Sequence, residues 1–452
     1  DMEWNKKRVL VFGTGISGIG AANLLIRMGA GVLLYDGNEK LKKEEILAKL
    51  EPGAQAEVIL GELPREESAR LDLVVLSPGV PTDLPLVKEL EEAGLPIWGE
   101  VELAYAVGQG RVLAITGTNG KTTTTALLGK IMGDDQDSVF VVGNIGTPYT
   151  SAALQMKPES VTVAEISSFQ LETIHRFHPQ VSAILNITED HLNRHHTMEE
   201  YIRVKERIAE NQTADEVCVL NYEDPILRNF GRQMKCKALY FSSERELEEG
   251  IFLRDGKIVL RWDGTEQEIV RTEEQKLLGK HNFENIMAAA AMAYCAGVPK
   301  EQIRKSICEF TAVEHRIEYV TEKNGVAYYN DSKGTNPDAA IKGIQAMNRP
   351  TYLIGGGYDK ESSYGEWIRA FDGKVRCLVL IGQTREKIAA EAGKQGFTDI
   401  VLADSLEEAV RICAEKAKPG EAVLLSPACA SWGQFDNYEQ RGRMFKEYVR
   451  AL

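Results

Sequence analysis

Residues 111–125 of the chain are RVLAITGTNGKTTTT, an apolar run followed by a glycine-rich segment and a series of threonines. Its apolar run predicts a buried β-strand ending at Ile115, its two glycines predict a loop, and a helix is predicted to begin near Lys121. In such a unit, backbone N–H groups and the positive end of the helix dipole converge on phosphate oxygens. Lys121 adds a full positive charge, and the Thr122 hydroxyl is placed to bind Mg²⁺. The residues predicted to contact a nucleotide are Thr116, Gly117, Asn119, Gly120, Lys121, Thr122 and Thr123.

The match to a phosphate-binding loop is incomplete. The full pattern has a glycine six positions before the lysine, where this chain has Ile115. A glycine-rich turn in front of an ordinary helix is therefore the alternative. The order of strand, Gly-Lys-Thr and helix favours a site for ATP or GTP.

Short apolar runs of the same kind recur on both sides of this loop. They end in Gly, Ser or Asn and precede amphipathic segments, a pattern that predicts an α/β fold with parallel sheets covered by helices on both faces. Ligands of such folds bind beyond the carboxyl ends of the strands. The predicted strands include Arg8–Phe12, Leu71–Leu76, Val112–Ile115, Val161–Ile166, Val181–Ile187, Tyr352–Ile354, Cys377–Ile381 and Ala422–Leu425.

The length of 452 residues predicts about three domains. We place them at residues 1–98, 99–312 and 313–452. The first and last are predicted to be Rossmann-like, and the central one to contain a parallel sheet of the P-loop ATPase type. Alternating polar and apolar residues at Ile251–Arg271, with two Asp-Gly turns, predict antiparallel hairpins added to that central sheet.

Charge and cysteine content restrict the class of protein. A net charge of −14 disfavours binding to nucleic acid or anionic membranes. The seven cysteines form no Cys-x-x-Cys pair, which suits a reducing cytosol. The apolar stretch Asn285–Pro299 is too short to span a bilayer, and the charged N-terminus does not resemble a signal peptide. We expect a cytoplasmic monomer with no membrane span and no nucleic-acid partner.

Acidic residues end the strands that follow the predicted loop. Glu165 would hold Mg²⁺ on the same sheet edge as Thr122, the alternative being a solvent-facing glutamate. The next strand leads to residues 188–191, Thr-Glu-Asp-His, where His191 is either a ligand of a second metal ion or a hydrogen-bonded histidine. Because three successive strand ends carry phosphate- and metal-type residues, the joint pattern favours a metal–phosphate site.

Two further histidines and a lysine follow. His195 and His196 are predicted to lie on the surface. Lys205 lies in an amphipathic segment, Glu199–Glu210, that predicts a helix, and its position is typical of a solvated helix face.

Three asparagines are candidate ligand contacts. Asn144 follows a short strand, where a contact to a substrate phosphate or sugar and simple turn chemistry explain it equally well. Asn282 and Asn285 lie at the start of an alanine-rich helix and would share one face of it. Helix capping also explains this pair.

A second glycine-rich loop lies near the N-terminus. Residues 13–18, Gly-Thr-Gly-Ile-Ser-Gly, follow a predicted strand and open a helix, and Asp36 ends the next strand. By itself this pattern is a dinucleotide fingerprint and would indicate an NAD-dependent enzyme. The geometry requires only a diphosphate near a helix N-terminus, so any nucleotide diphosphate conjugate fits. Ser77, after another predicted strand, lines the same edge.

Basic residues recur on predicted strand-end loops of the C-terminal third. In a chain of net charge −14, such clustering predicts a local anion site, although each lysine by itself is an ordinary surface residue. The basic residues are Lys333 and Lys360, with His315 and Arg316 at the start of the domain, and Asp331 and Ser431 are predicted to lie near the same edge.

Seven motifs occur in a fixed order. They are Gly-Thr-Asn-Gly-Lys-Thr at 117–122, Glu-x-Ser-Ser-Phe-Gln-Leu-Glu at 165–172, Asn-Ile-Thr-Glu-Asp-His at 186–191, His-Asn-x-x-Asn at 281–285, His-Arg at 315–316, Asn-Asp-Ser-Lys at 330–333 and Ser-Pro-Ala-Cys-Ala-Ser at 426–431. In this combination the chain resembles the Mur ligases over essentially its whole length. The shortened phosphate loop is the usual form in that family. The second and last motifs resemble those of the branch that adds D-glutamate.

The resemblance implies a function. It implies an ATP-dependent ligase of peptidoglycan precursor synthesis that joins D-glutamate to UDP-N-acetylmuramoyl-L-alanine through an acyl phosphate, with Mg²⁺ at two sites. The implied catalytic residues are Lys121, Glu165, His191 and Lys205. The implied metal ligands are Thr122, Glu165, His191 and Lys205, the last resembling the lysine that the family carbamylates.

The resemblance also implies the substrate contacts. Beyond the phosphate loop, the nucleotide would meet Asn282, Asn285, Arg316, Asp331 and Lys333. The UDP substrate would meet Gly15, Ile16, Ser17, Asp36, Ser77, Asn144 and His191. D-Glutamate would meet Thr335, Lys360, Ser431 and Tyr438.

Two positions depart from the family pattern. Asn193 occupies a position where the family usually has Asp. An electrostatic effect of a carboxylate at this position on His191 is therefore in doubt. Gly334 replaces a common Ala and would loosen the loop Asn330–Asn336.

Three other functions compete with this interpretation. One is a ligase of the same kind for another amino acid, including a folylpolyglutamate-type enzyme. Another is an NAD-dependent oxidoreductase, which leaves Thr116–Thr123 unexplained. The last is a nucleotide-dependent binding protein without catalysis.

Overall fold

The N-terminal region folds into a parallel sheet of five strands; the structure, a computed structural model, describes residues 2–452. The strands are β1 Arg8–Phe12, β2 Gly31–Asp36, β3 Glu57–Leu60, β4 Leu73–Leu76 and β5 Ile97–Gly99. The helices are α1 Ile16–Arg27, α2 Lys43–Leu47, α3 Arg65–Ser68 and α4 Pro85–Glu92, after a 3-10 turn at Trp4–Lys6.

The strand order of this sheet is β3-β2-β1-β4-β5. The order reverses between β1 and β4, whose last residues, Phe12 and Leu76, are paired. At such a switch point the loops after the two strands diverge and leave a crevice for a ligand. The loops beginning at Gly13 and Ser77 therefore lie side by side, as predicted.

The central region contains a sheet of nine strands. The strands are β6 Arg111–Thr116, β7 Val139–Val142, β8 Val161–Glu165, β9 Val181–Ile184, β10 Val217–Asn221, β11 Lys237–Ser242, β12 Gly250–Arg254, β13 Lys257–Trp262 and β14 Thr265–Arg271. The helices are α5 Glu100–Val107, α6 Lys121–Asp135, α7 Tyr149–Ala152, α8 Ser168–Leu171, α9 Leu192–His195, α10 Met198–Glu206, α11 Pro225–Gly231, α12 Lys280–Cys295 and α13 Lys300–Glu309. Short 3-10 turns occur at Ala153–Gln155, Arg207–Ala209 and Thr272–Glu274.

The order of the central sheet is β14-β13-β12-β11-β10-β9-β6-β8-β7. The strands from β7 to β12 pair in parallel, and β13 and β14 add an antiparallel extension. The predicted hairpins at Ile251–Arg271 are therefore confirmed. Strand β6 lies between β8 and β9, so the phosphate loop that follows it has the ends of both neighbours at its sides.

The C-terminal region forms a sheet of six strands in the order β15-β16-β20-β17-β18-β19. The strands are β15 Glu318–Lys323, β16 Val326–Asn330, β17 Thr351–Gly355, β18 Val375–Leu380, β19 Ile400–Leu402 and β20 Ala422–Leu425. The helices are α14 Pro337–Ala346, α15 Gly365–Arg369, α16 Arg385–Lys394, α17 Leu406–Lys416 and α18 Tyr438–Arg450. Only β15 is antiparallel to its neighbour among these described strands.

Several interior strands are buried along their whole length. Every residue of β4, β8, β9 and β20 is buried, because helices cover both faces of each sheet. This burial confirms the α/β fold with three sheets. Within residues 2–452, no helix is long and apolar enough to cross a bilayer.

The chain packs as two compact units. One unit holds the chain up to Arg271 together with Glu284–Ser306, and so contains the first two sheets. The other holds Thr272–Phe283 and Ile307–Leu452, with the third sheet. The domain boundaries placed at 98/99 and 312/313 stay a prediction.

Candidate active site

The phosphate loop has the predicted conformation. Strand β6 ends at Thr116 and α6 begins at Lys121. Gly117 and Gly120 have φ of 146° and 88°, in the region that favours glycine. A Cβ on Gly120 would lie 2.3 Å from Asn285 Oδ1, so the side chain of Asn285 packs directly on the loop.

Asn186 fixes the shape of this loop. Its Oδ1 accepts hydrogen bonds from Thr118 N at 3.0 Å and Asn119 N at 2.8 Å. Its Nδ2 donates to Asn119 O at 2.9 Å. Asn186 is part of a motif quoted above but was not predicted as a site residue. It lies two residues after the end of β9, the neighbour of β6, whereas the predicted strand Val181–Ile187 includes it.

The ammonium group of Lys121 lies against the loop. Its Nζ donates to Gly117 O at 2.8 Å and to Thr118 O at 3.2 Å. Burial lowers the pKa of Lys121, while the nearby charge of Glu165 acts in the opposite direction. Thr122 and Thr123 are half-buried in the first turn of α6, next to this lysine.

Glu165 is buried, with 2 % of its surface exposed, so the solvent-facing alternative is wrong. Its Oε1 accepts a hydrogen bond from Thr122 Oγ1 at 3.1 Å and a long one from Asn144 Nδ2 at 3.5 Å. Its Oε2 is buried without a hydrogen-bond partner within residues 2–452. A buried carboxylate oxygen needs a proton donor or a cation. Glu165 and Thr122 therefore have the chemistry and the adjacency that a Mg²⁺ site requires.

Lys205 is also buried, again with 2 % exposed, although its sequence pattern indicated a solvated helix face. Its Nζ donates to Thr116 Oγ1 at 3.1 Å and to Gly117 O at 2.7 Å. Burial, followed by the charge of Lys121, lowers the pKa of Lys205 to about 7. The amine is therefore neutral in a large fraction of molecules near neutral pH.

His191 is exposed at the start of α9. It has a φ of 53°, and its Nε2 lies 3.3 Å from Asp190 Oδ2. Its ring centroid lies 4.8 Å from that of Phe169. Asn193, the first departure from the family pattern, is exposed in the same short helix.

The two following histidines differ from each other. His195 is buried, and its Nε2 lies 2.9 Å from Ser168 Oγ, so the prediction of a surface position was wrong. Burial lowers the pKa of His195 to about 4, which keeps this ring neutral. His196 is exposed as predicted, with Nε2 at 2.9 Å from Asp83 Oδ2.

Tyr201 is a site residue that sequence reasoning missed. Its hydroxyl lies 2.9 Å from Thr118 Oγ1, and the residue is completely buried. Its ring lies beneath Lys205, whose Nζ is 5.5 Å from the ring centroid. An aromatic residue at helical spacing carries no signal that separates this role from simple packing.

The metal candidates form no conventional cluster. Among residues 2–452, no group of three or more His, Cys, Asp or Glu side chains could hold a metal ion. The predicted metal ligands include Thr122 and Lys205 in addition to Glu165 and His191. The roles assigned to all these residues stay a prediction.

The glycine-rich loop near the N-terminus forms a second cradle in the first unit. A Cβ on Gly18 would lie 1.9 Å from Gly13 O, and one on Gly13 would lie 2.3 Å from Ser77 Oγ. The hydroxyl of Ser77 is buried with no hydrogen-bond partner in the described chain. A phosphate oxygen approaching α1 would satisfy such a hydroxyl.

The other predicted UDP contacts surround this cradle. Ile16 is 87 % exposed, at the start of α1. Asp36 accepts hydrogen bonds from Thr14 Oγ1 at 3.1 Å and Asn38 N at 2.9 Å. Gly15 is exposed and Ser17 is half-buried.

In the second unit, Asp331 is buried at the end of β16. Its Oδ2 accepts from Ser426 Oγ at 2.7 Å and its Oδ1 from Ile317 N at 3.2 Å. Burial raises the pKa of Asp331 to about 7. A Cβ on Gly334, the second departure, would lie 2.9 Å from both Asp331 Oδ2 and Ser426 Oγ. The glycine therefore lets the loop pack closely against this carboxylate.

Tyr438 gathers basic residues around its ring. Lys333 Nζ lies 5.9 Å from the ring centroid, and the ring of His315 lies 5.8 Å from it. Arg316 is exposed beside His315.

Arg441, which was not predicted, is buried and donates to Ser332 Oγ at 2.9 Å, Ser332 O at 2.7 Å and Cys429 O at 3.0 Å. These bonds fix the two loops that follow β16 and β20.

Lys360 lies over an exposed tryptophan. Its Nζ is 4.7 Å from the ring of Trp432, the residue after buried Ser431. The loops are joined where Tyr358 N donates to Ala430 O at 3.0 Å. Thr335 is half-buried, without a side-chain contact to Lys360 among the described hydrogen bonds.

Asn282, in the first turn of α12, donates to Leu278 O at 2.7 Å.

Three family models match the chain. They are Mur ligase MurD-like, N-terminal domain, over residues 7–99; Mur ligase middle domain, over residues 115–293; and Mur ligase, glutamate ligase domain, over residues 315–429. The segment with the N-terminal glycine-rich loop, which by itself indicated NAD, thus matches a Mur ligase domain.

Relatives with established names match the chain from end to end. The UDP-N-acetylmuramoylalanine--D-glutamate ligase of Lachnoclostridium phytofermentans is 58 % identical over 451 residues, covering 100 % of this chain and 99 % of its own. The enzyme of the same name from Lachnospira eligens is 56 % identical, with 100 % of both chains covered. A solved structure of a UDP-N-acetylmuramoyl-L-alanyl-D-glutamate--2,6-diaminopimelate ligase has a TM-score of 0.59 at 18 % identity, covering 100 % of this chain and 94 % of that one. That last likeness concerns the fold alone.

Proposed function

The chain belongs to the Mur ligase family, and we propose that it is the ATP-dependent ligase that joins D-glutamate to UDP-N-acetylmuramoyl-L-alanine in peptidoglycan precursor synthesis. The observation that carries the chemistry is the rim formed by Lys121, Thr122 and Glu165, with a buried carboxylate oxygen that has no partner in the described chain. Because the reaction consumes ATP, we place it in the cytoplasm, and we expect a monomer.

The first step of the proposed reaction activates a carboxylate. A carboxylate oxygen of UDP-N-acetylmuramoyl-L-alanine attacks the γ-phosphorus of ATP, the bond to the β–γ bridging oxygen breaks, and ADP leaves. Lys121, at the N-terminus of α6, would face the charge that develops on the transferring phosphoryl group. Mg²⁺, when bound, would offset the charge of the β- and γ-phosphates, with Thr122 and Glu165 fitting one site and His191 and carbamylated Lys205 a second.

The second step forms the amide. The amino nitrogen of D-glutamate attacks the carbonyl carbon of the acyl phosphate, gives up a proton, and the tetrahedral intermediate expels inorganic phosphate. Water would hydrolyse the acyl phosphate, so the reaction needs a site that excludes solvent. Lys360, Ser431, Thr335 and Tyr438 would hold the carboxylates of D-glutamate. Asn282, Asn285, Arg316, Asp331 and Lys333 would contact the nucleotide.

Joint dependence of phosphate release on both substrates tests this function. We expect phosphate release from ATP only when UDP-N-acetylmuramoyl-L-alanine and D-glutamate are present together. A panel of other amino acids, with glutamyl-folate as an acceptor, would separate the related ligases. Release with another amino acid in place of D-glutamate, or no release with any amine, would overturn the proposal.

Carbamylation of Lys205 is expected to depend on pH. Only a neutral amine attacks CO₂, and the lowered pKa of about 7 makes Lys205 largely neutral at mildly alkaline pH. The product is an anion, which would remove the repulsion between the ammonium groups of Lys205 and Lys121. We expect carbamylation to rise as the pH passes through about 7 and to fall below it.

Labelled bicarbonate measures this modification directly. Protein equilibrated with ¹³C-bicarbonate is expected to give one carbamate signal by NMR, which is absent in Lys205→Ala and retained in Lys130→Ala. Removal of CO₂ is expected to lower turnover by roughly tenfold, and bicarbonate to restore it. A carbamate signal that persists in Lys205→Ala would contradict this assignment.

Replacing Lys360 with alanine is expected to weaken D-glutamate binding selectively. The loss of one charge-assisted hydrogen bond, ~2 kcal/mol, raises the KM for D-glutamate about 30-fold and leaves the KM for ATP within about twofold. Lys387→Ala is the matched control, because Lys387 also lies over an aromatic ring, that of Tyr364 at 5.6 Å, but is paired with Asp359. Equal KM values for D-glutamate in the two variants would exclude this role for Lys360.

A further inference from the structure

The motif at residues 165–172 is only partly explained by the proposed reaction. Glu165 is its first residue, and the motif ends at Phe169, Gln170, Leu171 and Glu172. Phe169 and Glu172 both contact Arg194, which lies three residues after His191. Arg194 was not identified from the sequence, and the proposed reaction assigns it no role.

Arg194 joins the motif to the N-terminal sheet within the first unit. Its Nη1 donates to Pro78 O and its Nη2 to Val80 O, both at 2.9 Å. Its Nη2 also lies 2.9 Å from Glu172 Oε1, and both side chains are largely buried. The guanidinium carbon lies 4.6 Å from the centroid of the Phe169 ring. The planar fork of arginine suits such a set of contacts, whereas a lysine ammonium does not reproduce it.

The loop that Arg194 binds is the one that carries Ser77. Val80 N donates to Ser77 O at 3.0 Å, so Ser77 to Val80 form a tight turn. The Ser77 hydroxyl lies against Gly13 in the glycine-rich cradle. The position of Arg194 therefore determines where this side of the cradle lies.

On its other side, Arg194 is connected to His191 through the ring of Phe169. The ring of Phe169 lies against Arg194 and, at 4.8 Å between centroids, against His191. Helix α9, which contains Arg194, is a single turn flanked by His191 and His196 with φ of 53° and 72°. Non-glycine residues at such φ persist only where surrounding contacts hold them. From within α9, Arg194 contacts Pro78, Val80, Glu172 and Phe169.

We propose that Arg194 is a positioning residue that fixes His191 and the Ser77 loop in one arrangement. The substrate held at the glycine-rich cradle is thereby aligned with the site of phosphoryl transfer. This inference rests on the proposed function, which assigns the UDP end of the substrate to the cradle and a second metal ion to His191. Glu172 supplies the buried counter-charge, and its Oε2 accepts from Thr82 Oγ1 at 3.2 Å.

Arg207 provides a matched control. Its Nη1 and Nη2 also donate to two backbone carbonyls, Glu172 O and Ile174 O, each at 2.7 Å. It belongs to the same part of the central domain, but its described contacts include neither the Ser77 loop nor Phe169. Lysine at either position keeps the charge and removes the forked contact, so the two variants differ chiefly in what the arginine joins.

The test compares Arg194→Lys with Arg207→Lys by steady-state phosphate release and thermal unfolding. In Arg194→Lys we expect the KM for UDP-N-acetylmuramoyl-L-alanine to rise about tenfold through the loss of well-directed hydrogen bonds, and kcat to fall. The KM for ATP is expected to stay within about twofold, because the phosphate loop is not touched. A merely structural role would lower the unfolding temperature and the active fraction without changing one KM selectively.

A second variant separates the bonds of Arg194 to the Ser77 loop from the contact between Phe169 and His191. Phe169→Leu keeps the bonds of Arg194 to the Ser77 loop and removes the ring beside His191. It is expected to lower kcat with the KM for the UDP substrate unchanged. Unchanged kcat in Phe169→Leu, or the same KM for the UDP substrate in the two arginine variants, overturns the inference. Failure of the unaltered protein to release phosphate with both substrates would instead overturn the proposed function.

Discussion

Replacing Lys121 with alanine is expected to lower turnover by at least ~10²-fold, the effect of removing one preorganised electrostatic contact to the transferring phosphoryl group. Lys121 is the first residue of α6, so its charge lies at the helix N-terminus, and no second lysine substitutes for it if Lys205 is carbamylated. Because this charge acts on the transition state more than on bound ATP, kcat is expected to fall more than the KM for ATP rises. Single-turnover phosphate release measures the step directly.

The matched control for this variant is Lys130→Ala. Lys130 lies in the same helix, α6, but away from the phosphate loop. Its Nζ pairs with Asp134 Oδ2 at 2.9 Å. Turnover close to that of the unaltered protein is expected for this control. Near-normal turnover in Lys121→Ala would refute the assignment of the phosphate loop as the ATP site.

Replacing Glu165 with alanine is expected to lower turnover by ~10²-fold or more, for the same electrostatic reason. Its Oε2 is buried without a hydrogen-bond partner in the described chain, so the loss of Glu165 is expected to raise the Mg²⁺ concentration needed for half-maximal rate. Glu165→Gln keeps the shape and tests the charge alone. Titration of phosphate release with Mg²⁺ at saturating ATP measures both effects.

The control is Glu159→Ala, an exposed glutamate just before the opposite end of the same strand, β8. Its Mg²⁺ dependence is expected to equal that of the unaltered protein. If Glu165→Ala and Glu159→Ala gave the same Mg²⁺ dependence, Glu165 would not be a metal ligand.

The phosphate loop was predictable because its parts are contiguous. Strand, glycines, lysine and helix follow one another within a few residues, and positive φ at Gly117 and Gly120 is a local property. The position of Glu165 beside the loop was predictable indirectly, because parallel strands place their carboxyl ends at the same edge of the sheet. The register of β6 and β8, which pairs Ile115 with Glu165, confirms that arrangement.

Burial of polar residues could not be predicted in the same way. Lys205 and His195 have patterns typical of exposed helix positions, yet both are buried. Tyr201 reaches Thr118 from 83 residues further along the chain, and Arg194 reaches Pro78 from 116 residues away. Such contacts leave no local pattern, because they depend on how separate elements pack.

Short-range periodicity and motifs of fixed spacing indicate the α/β class, the phosphate loop, the antiparallel extension and the family. The packing of distant elements sets which polar groups are removed from water, including the Glu165 oxygen that has no hydrogen-bond partner in the described chain, and it brings an arginine near His191 to the loop of another sheet. These properties have no local pattern, because pKa values, desolvation and positioning depend on distances between groups far apart in the chain.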